Sequence, residues 1–373
     1  MSVFQNNLLA AAAAAGGGGA SEGEVWGAGS NSYGKLGDGT TTNRSSPVQF
    51  GSEADWVGVA GQLVTAAINS SGELWMSGYN SNGQLGLGDT TARSEPTQVG
   101  SLTDWKQCSV KRSNVQAIKT DGTLWAWGSN LYGSCGLGNT TKYSSPVQVG
   151  SLTDWASAWV GRYESFGVKT DGTLWAWGLN NHGQSGLGDT TSRSSPTQVG
   201  SLTDWASAAS YFSTFAIKTD GTLWSWGRNT GGQLGLGDKT IRSSPVQVGS
   251  LTNWAQAEFG GLAAIAVKTD GTLWTWGYNA QAQLGLGDKT NRCSPTQVGS
   301  LTDWGTGGEG GAVGQLYFAS RALKTDGTLW TWGQGNANNG LNNTTEYCSP
   351  VQVGDLTTWI YTGSSYFRAI KTA

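Results

Sequence analysis

The chain has 373 residues, of which 59 are glycine and 20 tryptophan, and its 22 Lys+Arg against 25 Asp+Glu leave a formal net charge of -3. That near-balance argues against a nucleic-acid partner, and no apolar run approaches the ~20 residues that a membrane-spanning helix needs. One histidine, His182, and four cysteines without CxxC spacing offer no pattern for a His-based metal site or a Ser-His-Asp triad, so no metal, cofactor or catalytic constellation is expected.

In chain order, residues 1–20 stand apart: MSVFQNNLLA, five further alanines, then Gly16 to Gly19. The segment lacks the basic start of a secretory signal. It reads as a leader outside the folded unit, either flexible or docked elsewhere through Phe4, Leu8 and Leu9.

From residue 21 onward one unit recurs. The glycine of LWxWGxN and its variants falls at Gly29, Gly78, Gly128, Gly178, Gly227, Gly277 and Gly333. The proline of P-[VT]-Q-[VF]-G and the Trp after Asp, Asn or Thr keep step with it, the latter at Trp56, Trp105, Trp155, Trp205, Trp254, Trp304 and Trp359. A period near 50 residues is that of propellers, solenoids or arrays. Within a unit such as that from Trp205, four short runs alternate with period two between turn signals, which predicts a four-stranded antiparallel blade. The Asp-Gly of each TDGT element predicts a type I′ hairpin turn. The small residues after each Asp-Trp suit the crowded innermost strand, and the proline-bearing run suits an outer edge.

The ends read as halves of one blade, RAIKTA at the C-terminus and SEGEVW near the N-terminus, so pairing them would close a ring. The expectation is an all-β, seven-bladed β-propeller over 21–373. Its blades would lie near 56–99, 105–149, 155–199, 205–248, 254–298, 304–353, and 359–373 with 24–50.

The run GYNSNGQLGLGDTTARSEPTQV, Gly78 to Val99, resembles the repeat of the regulator-of-chromosome-condensation family, G-x-N-x-x-G-Q-L-G-x-G followed by a proline. The resemblance independently implies a seven-bladed propeller, and its founding members are guanine-nucleotide exchange factors for a small GTPase. Function still has to be argued from a site.

Strand alternation sorts the connections onto two faces. One is monotonous, repeating Asp121, Asp171, Asp220, Asp270 and Asp326 beside Lys119, Lys169, Lys218, Lys268 and Lys324, and is expected to be a solvated, self-neutralising ring. The other varies, and its inner turns supply the candidate binding residues: Arg112, Arg162, Tyr163, Glu164, Tyr211, Phe212, Phe259, Tyr317, Phe318, Tyr366 and Phe367. Aromatic and Arg side chains on loops of a rigid ring suit recognition, or they plug the channel mouth. The glycine-rich Gly305–Gln315 insertion lengthens one such turn.

The expected function is a non-enzymatic binding or structural module. The leader resembles the Gly/Ala-rich openings of structural proteins from tailed phages. That likeness implies a virion appendage, tail or capsid attached, held to other virion or assembly proteins and facing a host-surface glycan or protein. The alternatives are an exchange factor or other regulatory propeller acting on a protein partner, and a secreted inhibitor or adhesin.

Overall fold

The computed structural model describes residues 23–61, 63–305, 313–315, 319–335, 341, 343–355, 357, 359–362 and 367–371. The leader, with Phe4, Leu8 and Leu9, lies outside them.

The chain folds as a β-propeller of four-stranded antiparallel blades. Among the described residues the strands form seven such sheets, one of which is shared: Glu24–Gly29 and Arg44–Gln49 pair with Trp359–Thr362 and Phe367–Lys371. The other sheets follow in chain order as the first (56–98), second (105–148), third (155–198), fourth (205–247), fifth (254–297) and sixth (313–352). In the shared sheet Val25 faces Ile370 in register. Such pairing across distant sequence removes two open sheet edges.

The first strands, Trp56–Gly61, Trp105–Lys111, Trp155–Val160, Trp205–Ser210 and Trp254–Phe259, pack on one another around the centre. The outermost strand carries the proline inside a bulge. Pro96 falls between the Arg93–Gly78 and Thr97–Met76 pairs, where the ladder is interrupted and a missing N–H costs little.

No blade is wide enough to have a core of its own, so apolar burial is placed in the seams. Each hydrophobic cluster joins two neighbouring blades: Ile118, Leu124 and Cys135 with Trp155 and Trp177, for example. Trp26, Leu323 and Val353 pack together at one side of the shared blade, and Val25 and Phe50 pack with Trp56 at the other.

Long-loop glycines make the seams possible. Gly136 has φ +74°, and a Cβ there would lie 2.8 Å from Nε1 of Trp177 in the next blade. Only a glycine lets this loop lie against that indole. The recurrence of this glycine from repeat to repeat therefore follows from close packing between blades. The asparagine at its start holds it in shape: Asn80 Oδ1 accepts the Leu85 N–H, and its amide donates to the Thr91 carbonyl.

Two expectations about the monotonous face are corrected. In the hairpin at Asp121, Gly122 N–H donates to the Lys119 carbonyl, and only Gly122 has positive φ, +78°. That is a type I turn followed by a left-handed glycine, in place of type I′. The cause is the aspartate, whose carboxylate accepts the N–H and hydroxyl of Thr123.

The lysines are not a solvated ring either. Lys119 Nζ lies 5.2 Å from the Trp105 ring centre and 4.6 Å from that of Trp125, and its ion pair is with Asp104 at 3.3 Å. Lys169, Lys218 and Lys324 repeat this arrangement with Asp154, Asp204 and Asp303. Where Asn253 stands in place of the aspartate, Lys268 settles 3.7 Å from the Trp274 ring centre, and burial depresses its pKa. The stems of these lysines complete the tryptophan packing, and their charge sits on indole faces.

Candidate functional site on the turn face

No helix among the described residues is long and apolar enough to cross a membrane, and no cluster of three His, Cys, Asp or Glu among them could hold a metal ion. Grooves of about 330 to 550 Å³ lie at the rim between blades, lined by pairs such as Trp254 with Trp274. The chemistry is elsewhere, at the inner turns of the second, third and fourth blades.

Arg162 is its centre. The guanidinium carbon lies 4.6 Å from the Phe212 ring centre, 5.4 Å from that of Tyr163 and 5.7 Å from that of Tyr211. Arg112 lies 6.0 Å from the Tyr163 ring and donates to its hydroxyl at 3.4 Å, while Arg228 lies 5.9 Å from Phe212. Tyr132 meets Tyr163 edge to face at 5.5 Å, and His182 meets Phe212 at 6.1 Å. Burial and then the Arg228 charge push the His182 pKa down, so it is neutral near pH 7.

Two members are held in a backbone conformation that non-glycine residues rarely adopt: Arg112 at φ 53° and Tyr132 at φ 64°. Such strain costs on the order of 1 kcal/mol or more at each position. Here it turns an arginine and a 43% exposed tyrosine toward the same ring.

Beneath this surface a buried charge network spans four blades across the channel mouth. Lys111 Nζ donates to the Ser210 carbonyl at 3.0 Å and lies 5.2 Å from the Tyr211 ring centre, and Glu164 and Glu258 act on its charge. The Glu164 carboxylate accepts the N–H groups of Arg162 and Tyr163 and the Ser210 hydroxyl. It folds over its own turn because Gly161 has no side chain; a Cβ there would overlap Oε1. Glu164 therefore shapes the turn that presents Arg162 and Tyr163.

Burial pushes the Glu258 pKa up to about 7 against the pull of Lys111. A raised carboxylate pKa means that the folded state binds the proton more tightly, so stability is greatest below the ordinary value of 4.5 and falls as pH rises toward 7. The contribution lost is on the order of 3 kcal/mol. Urea unfolding across this range is expected to show the decline in the native chain and a flatter profile in Glu258→Gln. Equal slopes would assign the decline to other groups.

The structure brings Arg112, Arg162, Tyr163 and Phe212 together. It corrects three other expectations. Tyr211 is buried, 8% exposed, in the seam with Phe215 and Phe259. Glu164 is fully buried as a turn-shaping group, and Phe259 is enclosed, stacked on Phe215 with ring centres 3.8 Å apart. Tyr317, Phe318 and Tyr366 lie outside the described residues, as does most of the Gly305–Gln315 insertion; of Phe367 only the backbone is described, in the strand Phe367–Lys371. Sequence reasoning missed Tyr132, His182 and Arg228, which come from the long outer loops. Their signal was available, since Tyr132 and His182 lie within the NxxG element and Arg228 just before it, at positions that differ from repeat to repeat.

Residues 22–63, 71–110, 121–168, 171–215, 220–267 and 270–306 match the family model described as the regulator of chromosome condensation (RCC1) repeat. These six segments cover well over half of the chain, and residues 307–373 lie beyond the last of them. No curated protein sequence matches the chain. Among solved structures, human WBSCR16 is 20% identical with a TM-score of 0.78, over 94% of this chain and 98% of that one. Yeast RCC1 (Prp20), solved bound to Kap60, is 19% identical with a TM-score of 0.81, over 94% and 89%. Prp20p from Saccharomyces cerevisiae, described with its binding properties to Gsp1p and histones, is 19% identical with a TM-score of 0.80, over 94% and 91%. At these identities the likeness is one of fold.

Proposed function

Because this chain belongs to the regulator of chromosome condensation (RCC1) repeat family, we propose that it is a non-enzymatic, closed seven-bladed propeller that docks a protein partner on its turn face. The partner to test first is a small GTPase whose nucleotide exchange it promotes. The observation that carries the reading is the Arg162 cluster, in which three arginines and several rings stand at the surface of successive blades. Arginine and tyrosine in such settings dominate binding energy at protein interfaces. The yeast relative described with Gsp1p and histones supports a protein as the ligand class.

This replaces the virion appendage expected from the leader. Neither the family match nor the fold neighbours favour that role, and Phe4, Leu8 and Leu9 lie outside the described residues.

The test is release of a fluorescent guanine nucleotide from a panel of small GTPases in the presence of the propeller. Faster release from one member is expected, together with a loss of at least tenfold, about 1.4 kcal/mol, for Tyr163→Ala combined with Phe212→Ala. Binding and release unaffected by that pair would place the docking surface elsewhere. Absence of any GTPase complex would remove the exchange reading.

A further inference from the structure

The arginine side chains among the described residues divide by partner. Arg44, Arg93, Arg193, Arg242 and Arg292 each bind an aspartate of their own long loop at 2.6 to 2.7 Å. Arg321 is enclosed in the interior. Among the described residues no carboxylate pairs with Arg112, Arg162 or Arg228, and Nε of Arg162 is buried without a hydrogen-bond acceptor. All three belong to the turn face of consecutive blades.

They also form an ordered series. Arg112 and Arg162 share the Tyr163 ring, and Arg162 and Arg228 share the Phe212 ring. The sequence in space is guanidinium, ring, guanidinium, ring, guanidinium. Ring faces offset part of the repulsion between the cations, but they leave the outward N–H groups of the forks without anionic acceptors. A chain of net charge -3 thus presents, on one face, three guanidinium groups that lack an ion-pair partner among the described residues.

We propose that this ladder binds an extended acidic segment of the protein partner, with its carboxylates received in turn by Arg112, Arg162 and Arg228 and its apolar side chains resting on Tyr163, Tyr132 and Phe212. The proposal rests on the turn face being the docking surface and names the chemistry that the face selects. Guanidinium forks match carboxylates in geometry and charge. The alternation of three guanidinium groups with two rings over three blades favours several carboxylates on one strand over a single compact anion. A long polyanion such as nucleic acid fits less well. Outside the ladder, the arginines of the third and fourth blades are already neutralised by Asp189 and Asp238, and the chain as a whole is acidic.

The experiment is fluorescence polarisation with a short fluorescein-labelled Glu/Gly peptide, and with a Lys/Gly peptide and a single-stranded oligo-dT as comparators. The acidic peptide is expected to bind, to weaken steeply with added salt, and to lose roughly thirtyfold or more in affinity to the triple variant Arg112→Gln, Arg162→Gln, Arg228→Gln. Arg93→Gln, which removes a paired arginine, is expected to change nothing beyond twofold, about 0.4 kcal/mol. Unchanged circular dichroism confirms that the variants are folded. Tighter binding of oligo-dT would overturn the proposal in favour of a nucleic acid. If the acidic peptide fails to bind while a GTPase is still captured and is lost in Tyr163→Ala with Phe212→Ala, the ladder proposal falls and the docking face stands. If capture survives that pair and the peptide also fails, both fall.

Discussion

Replacing Lys111 by methionine is expected to lower the unfolding free energy by about 3–5 kcal/mol, the cost of removing one partner from a buried ionic group. Lys111 is 5% exposed and Glu164 and Glu258 are 2% or less, so neither carboxylate can recover its loss by turning to water. The methionine would fill the space of the stem but would leave the Ser210 carbonyl without its donor. Part of the loss is recoverable. In the double variant Lys111→Met, Glu258→Gln the carboxylate that burial holds at a pKa of about 7 is gone, and most of the stability is expected to return. Glu164 keeps three donors of its own, from Arg162, Tyr163 and Ser210, and needs the lysine less. Urea unfolding of the single and double variants at pH 7.5 reads both effects. A loss below about 1 kcal/mol in the single variant would mean that the carboxylates are protonated there and need no cation.

The second large effect is at a seam. Trp177 is fully buried between the third blade and the long loop of the second, donates Nε1–H to the Ser134 carbonyl at 2.9 Å, and packs edge to face on Trp155. Trp177→Ala is expected to cost about 3–5 kcal/mol, because the rigid strands on either side cannot collapse into the space. Trp177→Phe keeps most of the volume and loses the hydrogen bond, at about 1 kcal/mol. The acceptor is not stranded, since the Ser165 hydroxyl also donates to it. Thermal unfolding of the pair separates packing from hydrogen bonding. Equal losses would assign the dominant role to the hydrogen bond.

Scaffold and site are coupled. Lys111 and Glu164 sit directly below Arg162 and Tyr163, so the network that spans the channel mouth also fixes the turn exposed to a partner. The variant Lys111→Met therefore tests whether the docking face keeps its shape when its foundation is altered.

Strands, blade unit and likeness to the family were legible in the residues, because each repeat is local: period-two alternation, turn residues and a recurring glycine need no knowledge of the rest of the chain. The sequence also singled out Arg112, Arg162, Tyr163, Tyr211 and Phe212, as residues that vary where the repeat is otherwise uniform. What each of these does depends on packing between blades. Glu164 and Phe259 belong to the same set of turns, yet one turns inward to accept backbone N–H groups and the other stacks on Phe215. Lys119 and its counterparts look like surface charge beside Asp121, but lie between two indoles and pair with an aspartate of the crossover. Tyr132, His182 and Arg228 join the site from loops far along the chain. Burial and ion pairing are set by which blade stands next to which, and that adjacency exists only once the strands pack about a common centre.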